Sequence, residues 1–425
     1  MRAPRIAATH QECKVVKISG VAMALWFLLV LFATESNKAP PPEAMPSRAN
    51  EYCSAPLTSG DEGGSDVTSV TVVVRHGARS GIATEVQDWK CGLGALKSHV
   101  KRWEAASGNE LTPETSHGTC EKGQLVARGF RQHKRLGAFL RSRYGGTSWQ
   151  VTTRSTNYQR TKASASAFLD GFFGGRVPKD AWPSFRENAS EEPMFGVEGE
   201  DGKGIRCVRA AADAKRQREA WQPGELADAV ASIEDAAWNP TDVADVAYSR
   251  HCEKTGCLRD GHAGLGDGQG CVTGSKAEAL FRLADKFYYG RYNGNDGGRA
   301  ASRLGMHPFL SELLRNFKDD SESSEKRLRL YAGHDTVVAP LLAALGVFDG
   351  KWPPLASRIV FELREGGALR ILFNGRDVSG EVCGAVGDDL EGGPPGARGC
   401  DVAAFEARVA ALLGGAASFD EACGN

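Results

Sequence analysis

At 425 residues the chain is long enough to bury a full hydrophobic core and to carry a second domain-sized unit. An apolar share of 41%, a charged share of 25% and a net charge of -1 exclude an extended disordered chain. The same balance gives no basis for a nucleic-acid partner.

Taken in order, the chain begins with Arg2, Arg5, Lys14 and Lys17, followed by an almost uncharged apolar run, Ile18 to Ala33, and then Glu35. This pattern is that of a short signal anchor or a signal peptide. Positive residues ahead of the run place 1–17 in the cytoplasm, 18–34 in the membrane and the rest in a lumen. The expectation is a retained single-pass type II anchor, with a cleaved segment and a secreted protein as the alternative. Residues 35–68, rich in Pro, Ser, Gly and charge, read as a stem.

Cysteine usage agrees with a lumenal setting. Cys13 precedes the apolar run, and Cys53, Cys91, Cys120, Cys207, Cys252, Cys257, Cys271, Cys383, Cys400 and Cys423 follow it. Ten is compatible with five disulfides, whose pairing spacing alone does not give. His251 and His262 flank Cys252 to Cys257 without a finger-like spacing, so no metal site is expected. Asn188-Ala189-Ser190 is the usable glycosylation sequon, since Asn239 is followed by Pro240.

The β-branched run Val70 to Val74 predicts a buried strand. It ends in Arg75, His76 and Arg79, with Gly77 giving the backbone freedom to turn. Asp88 to Glu110 reads as loop and short helix, and Glu121 to Tyr144 has helical spacing closed by Gly145-Gly146. Trp149 to Thr153 is a second strand ending in Arg154, and a helix follows from Ser155-Thr156 to about Phe173. A strand–helix–strand unit of this kind brings Arg154 to the sheet edge that carries His76.

From Arg176 to about Asp320 the pattern turns mostly helical, including Val208 to Trp221 and Lys276 to Tyr289. The sheet resumes at Leu328 to Tyr331, after which His334 and Asp335 stand at the mouth of a helix running to Leu345. Arg358 to Leu363 and Leu369 to Phe373 form a hairpin about Gly366-Gly367, and Asp401 to Leu413 is an amphipathic helix. The expected fold is therefore α/β: a three-layer α/β/α core from 69–175 and 325–425, with a mostly helical inserted cap at 176–324.

Three strand ends thus deliver Arg75, His76, Arg79, Arg154, His334 and Asp335 to one edge. Three arginines match the three non-bridging oxygens of a phosphoryl group. An unprotonated histidine between them can attack phosphorus and divide one displacement into two. Asp335 is the nearest acid for the leaving oxygen, and His334 is cast as a charged donor. The competing reading is a catalytically silent glycan- or lipid-binding ectodomain.

R-H-G-A-R (Arg75 to Arg79), R-S-T-N-Y-Q-R (Arg154 to Arg160) and H-D-T (His334 to Thr336) resemble the histidine acid phosphatase branch of the histidine phosphatase superfamily. The likeness covers about Val70 to Cys423. It implies a metal-independent acid phosphomonoesterase without cofactor, with a phosphohistidine on His76 and Asp335 as proton donor. Arg75, Arg79, Arg154 and His334 would hold the phosphate. Gly81 stands where the family usually has proline, which should loosen the loop. Within the family, the N-terminal anchor, Tyr52-Cys53, Leu330 to Gly346, Arg370 to Val378 and the final F-D-E-A-C resemble a Golgi member acting on xylose 2-phosphate, a phosphorylated glycan on a proteoglycan core. Gly346 to Pro354 resembles a member acting on lysophosphatidic acid, and inositol phosphates are a further alternative.

Overall fold

β1 (Val67–Arg75) runs through the middle of a sheet completed by β2 (Gln150–Ser155), β3 (Arg327–Gly333), β4 (Arg358–Arg364), β5 (Leu369–Phe373) and β6 (Arg376–Asp377). Among the described residues the strand order is β2-β3-β1-β4-β5-β6. This computed structural model describes residues 45–58, 66–82, 91–92, 101, 104, 121–145, 149–196, 203–221, 224, 240–254, 272–295, 297–384 and 400–424. The proposed anchor, Cys13, most of Asp88 to Glu110, Cys120, Cys257, His262 and Cys271 lie outside them. No helix among the described residues is long and apolar enough to cross a membrane.

β2, β3 and β1 are mutually parallel, and β4 returns antiparallel against β1 to begin the hairpin side of the sheet. β1 reads as a valine run because both of its faces are covered. Val70, Val72 and Val74 pack with Leu136, Leu140, Phe168 and Phe172, which come from helices Ala127–Tyr144 and Gln159–Phe172. Val73 faces the opposite cluster, with Phe309, Leu313, Val337 and Leu341 from helices Gly298–Ser321 and Asp335–Ala344. The fold is α/β with helices on both faces of the sheet.

Two segments sit differently from their sequence assignment. Gly298–Ser321, read as part of the insertion, is itself a covering layer of the sheet: Phe309 meets Tyr331 edge-on and Phe317 packs against Phe361. Residues of the supposed stem are also part of the core. Ala49, Tyr52, Cys53 and Ala55 are buried, because the short helix Ser47–Tyr52 is pulled in by aromatic stacking and a disulfide.

The disulfides join Cys53 to Cys252, Cys207 to Cys423 and Cys383 to Cys400, and Cys91 is also disulfide-bonded. Two of these bridges hold the C-terminal segment, which would otherwise fray.

Candidate active site

The parallel register fixes which side chains reach the carboxyl edge of the sheet. Arg75 pairs with Gly333, and the His76 amide donates to the Gly333 carbonyl at 2.9 Å. His76 and His334 therefore emerge side by side, with ring centroids 5.6 Å apart. Gly77 is required here for close approach, not for a left-handed turn: a Cβ at this position would run into the Gly129 backbone. The start of helix Ala127–Tyr144 can thus press against the His76 loop.

His76 is buried, and its Nδ1 lies 2.9 Å from the Gly77 carbonyl. A carbonyl can only accept, so Nδ1 carries the proton and Nε2 keeps its lone pair. Burial, reinforced by Arg75, Arg160 and Arg79, holds the imidazole pKa well below its ordinary value. The histidine is neutral and its tautomer is set.

Arg75 is fully buried and bonded on several sides. It reaches the Tyr52 hydroxyl at 2.7 Å, Asp335 Oδ2 at 2.8 Å and the Pro353 carbonyl. The Trp352 indole N–H also donates to Asp335 Oδ2, at 2.7 Å, and the Thr336 amide donates to Oδ1 at 2.8 Å. Burial alone would raise the Asp335 pKa, but Arg75, Trp352 and Arg79 outweigh it and hold the carboxyl well below the usual range. Arg79 is clamped by Asp245 through two bonds of 2.7 and 2.9 Å, both residues being buried. The loop with Gly81 is pinned despite lacking proline: the Ile82 amide donates to Asp245 and the Gly123 amide to the Gly81 carbonyl.

Arg154 does not join this group. It pairs with Tyr331 in the register, and Tyr331 pairs with Val73 on β1. It is therefore three residues, about 10 Å, short of the level of His76. Its guanidinium lies over the Tyr331 ring and bonds Glu312 at 2.9 Å, with Glu192 at 3.2 Å. Arg160, in the first turn of helix Gln159–Phe172, is the third arginine at the edge. Among the described residues it has no carboxylate and no hydrogen-bond acceptor, only the face of Tyr158 at 4.6 Å. Burial and the charge of Arg79 lower its pKa to about 10.

His334 also departs from expectation. Burial and Arg160 depress its pKa well below the ordinary value, so it is neutral and not a charged donor. Its Nε2 lies 2.9 Å from Thr156 Oγ1, and its ring is flanked by Tyr158 and Phe195.

A protein-family model described as histidine phosphatase superfamily (branch 2) matches residues 66–223 and 224–374. The chain belongs to that family. Among curated relatives, human (Homo sapiens) 2-phosphoxylose phosphatase 1 is 26% identical over 361 residues, covering 74% of this chain and 71% of the relative. Lysosomal acid phosphatase of Bos taurus is 29% identical over 269 residues, 57% of this chain and 59% of the relative. Among solved structures, the phytase from D. castellii superposes with a TM-score of 0.51 at 17% identity, covering 89% of this chain and 88% of that one. Hafnia alvei phytase in complex with tartrate gives 0.51 at 15% identity, covering 81% and 96%.

In this branch 2 histidine phosphatase, sequence reasoning missed Arg160, Asp245, Tyr52 and Trp352 as parts of the site. A signal for Arg160 was present, because the motif carries an arginine at each end and the second falls one helical turn past the strand. Asp245 is far from the motifs in sequence and gives no local signal, whereas Tyr52 and Trp352 fall in stretches that carry a family resemblance without showing a role in the site.

Proposed function

We propose that the protein is a phosphomonoesterase forming a phosphohistidine at His76 Nε2, without a metal. The observation that carries this reading is the pairing of a neutral, tautomer-fixed His76 with Arg160, a half-buried cation without a carboxylate partner among the described residues. Arg75, Arg79 and Arg160 supply the positive charge that the phosphoryl oxygens need, with His334 as a neutral partner beside them. In the first step Nε2 bonds to phosphorus as the ester P–O bond breaks. The leaving oxygen takes a proton from Asp335.

Without substrate, Asp335 is an ionised partner of Arg75 and not an acid. A phosphate group bound against the fixed Arg75 shares its positive charge and adds negative charge beside Asp335, and both raise the carboxyl pKa. A phosphomonoester arriving as the monoanion brings the proton with it, so the cycle favours mildly acidic pH. In the second step water attacks phosphorus, Asp335 accepts its proton, and His76 leaves as neutral imidazole.

The substrate reading we favour is xylose 2-phosphate carried on a glycan, supported by the likeness to the 2-phosphoxylose phosphatases of Homo sapiens and Mus musculus. A secretory-pathway location fits the disulfides, the apolar run at Ile18 to Ala33 and the exposed Asn188 of the sequon.

The test is turnover of an aryl phosphate by chelator-treated protein, with rapid-quench trapping of acid-labile, alkali-stable labelled protein. His76→Ala should trap no label. Phosphate binding without turnover from pH 4 to 7 would identify a silent binder instead. Offering xylose 2-phosphate linkage oligosaccharide, lysophosphatidic acid and inositol phosphates together tests the substrate, and a preference for either of the latter two would overturn the glycan reading.

A further inference from the structure

Two of the three arginines at the edge are held by residues that belong neither to the sheet nor to its motifs. Tyr52, from the short helix Ser47–Tyr52, accepts from Arg75 at 2.7 Å. Asp245, from helix Pro240–Glu253, grips Arg79 with both carboxylate oxygens and also accepts from the Ile82 amide at 3.1 Å.

These two holders are themselves fastened together. Cys53, the residue after Tyr52, is bonded to Cys252, two helical turns beyond Asp245. Between them on the same helix, Tyr248 stacks on the Tyr52 ring at 3.9 Å and 21°. On its other contact Tyr248 stacks on Phe281 at 3.8 Å. Tyr52 further lies under the Arg75 guanidinium, 4.9 Å from its centre, and meets Trp352, the donor to Asp335.

We propose that the Cys53–Cys252 bridge is a strap that sets the phosphate clamp, with Tyr52 and Asp245 as positioning residues for Arg75 and Arg79. The inference rests on the phosphatase reading above and adds to it a dependence of the site on one disulfide. A long flexible guanidinium stem loses rotamer freedom when it binds phosphate, and a partner fixed in advance removes that cost from the binding step. Arg160, which has no such partner, is the arginine left to move onto the ligand. The strap spans a sequence separation of 199 residues, so no local folding preference could hold the two holders in register. The Cys383–Cys400 bridge, in contrast, closes a separation of only 17 residues between the end of helix Ser379–Gly384 and the strand bridge to Ala368.

Asp245→Asn separates positioning from mere charge balance by sign. Removing a negative charge beside Arg79 should tighten inorganic phosphate binding if Asp245 only balances charge. It should weaken it if Asp245 sets the geometry. We expect about a tenfold or greater rise in the inhibition constant of inorganic phosphate. KM should rise and kcat/KM should fall equally for alkyl and aryl phosphates, and Asp245→Glu should recover part of the loss. Tyr52→Phe, which keeps the ring stack, should give a smaller change in the same direction.

The bridge is tested by comparing the double variant Cys53→Ala/Cys252→Ala with Cys383→Ala/Cys400→Ala, each at a temperature well below its own melting point. The first should show weakened phosphate binding, less than additive with Asp245→Asn, and the second should bind phosphate as the wild type does. Calorimetric titration with inorganic phosphate provides the readout even where turnover is low. Unchanged or tighter phosphate binding in Asp245→Asn would overturn the proposal, as would equal losses in the two bridge variants. If the Cys53/Cys252 variant does not fold, Asp245→Asn and Tyr52→Phe with wild-type affinity would still overturn it. A wild type that binds phosphate without turnover would instead overturn the phosphatase reading and leave the strap standing.

Discussion

The two ends of β1 both gather arginines, half-buried at the amino end and more deeply set at the carboxyl end, but their charges are balanced differently. At the amino end Glu362, opposite Val70, accepts from Arg143 at 2.8 Å and Tyr144 at 2.6 Å, with Arg364 and Arg370 alongside. Nearby, Asp320 takes the Ser69 hydroxyl at 2.6 Å and the guanidinium groups of Arg327 and Arg329. Every arginine there touches at least one carboxylate. At the carboxyl end Arg75 has Asp335 and Arg79 has Asp245, but Arg160 has none among the described residues. A partly desolvated cation without a partner costs stability, and such strained groups cluster where ligands are bound. Arginine richness marks neither end, nor does a missing carboxylate alone, since buried Arg358 has none but donates to the Pro56 carbonyl; Arg160 lacks both a carboxylate and an acceptor among the described residues.

The sharpest way to break this contrast is to neutralise each end in turn. Arg160→Gln should lower kcat/KM by about 10² to 10³ while leaving the melting temperature unchanged or raised. Arg154→Gln should leave kcat/KM within a few-fold of wild type. It takes the arginine from Glu192 and Glu312, leaving Glu312 the Tyr331 hydroxyl and Glu192 the Met194 amide, so it should cost about 1–3 kcal/mol in denaturant unfolding. Steady-state kinetics paired with unfolding curves decide the matter, and the reverse pattern would restore Arg154 as the phosphate ligand.

Next in size is Asp335→Asn. The variant should retain phosphate binding and lose about 10² in kcat on an alkyl phosphate, with a much smaller loss on an aryl phosphate whose leaving group needs little protonation. An equal loss on both would remove the proton-donor role. At the other end of the strand, Glu362→Gln should do the opposite. It should destabilise by about 3 kcal/mol and leave the KM for either substrate unchanged, because those arginines hold no ligand.

The smallest effect concerns His133, which is buried and donates from Nε2 to the Arg75 carbonyl at 3.1 Å. Burial lowers its pKa from 6.5 to about 4, the hydrogen bond acting weakly the other way. Because the folded value is depressed, the unfolded chain binds the extra proton between these limits. The stabilisation is present above pH 6.5 and is lost as pH falls through about 4. His133→Gln should flatten the decline of stability across that window, by up to ~1.4 kcal/mol per pH unit for the one proton. An unchanged slope would show that His133 is already charged in the folded state.

Much of the architecture could be read directly from the chain. The valine run of β1, the helix ending at Tyr144, the β3 strand before His334 and the hairpin about Gly366-Gly367 are each encoded within a few consecutive residues. The adjacency of Arg75, His76 and Arg79 is likewise a local fact, since one strand end and one turn place all three. The membership of Gly298–Ser321 in the sheet's own covering layer was not legible, because an apolar helix face does not say which surface will bury it.

The site divides along the same line. By itself the sequence determined the loop of Arg75, His76 and Arg79, the His334-Asp335 helix mouth and an arginine at each end of R-S-T-N-Y-Q-R. Which of those two arginines lies at the His76 edge depends on the register of β2 with β3, which sets Arg154 level with Val73 and leaves Arg160 one helical turn beyond the edge. That register is settled by pairing with strands far away in the chain. The tautomer of His76, the ionised state of Asp335 and the grip of Tyr52 and Asp245 follow from burial and long-range contacts. They exist only once the chain has closed on itself, because charge and proton positions respond to what lies within a few ångströms in space.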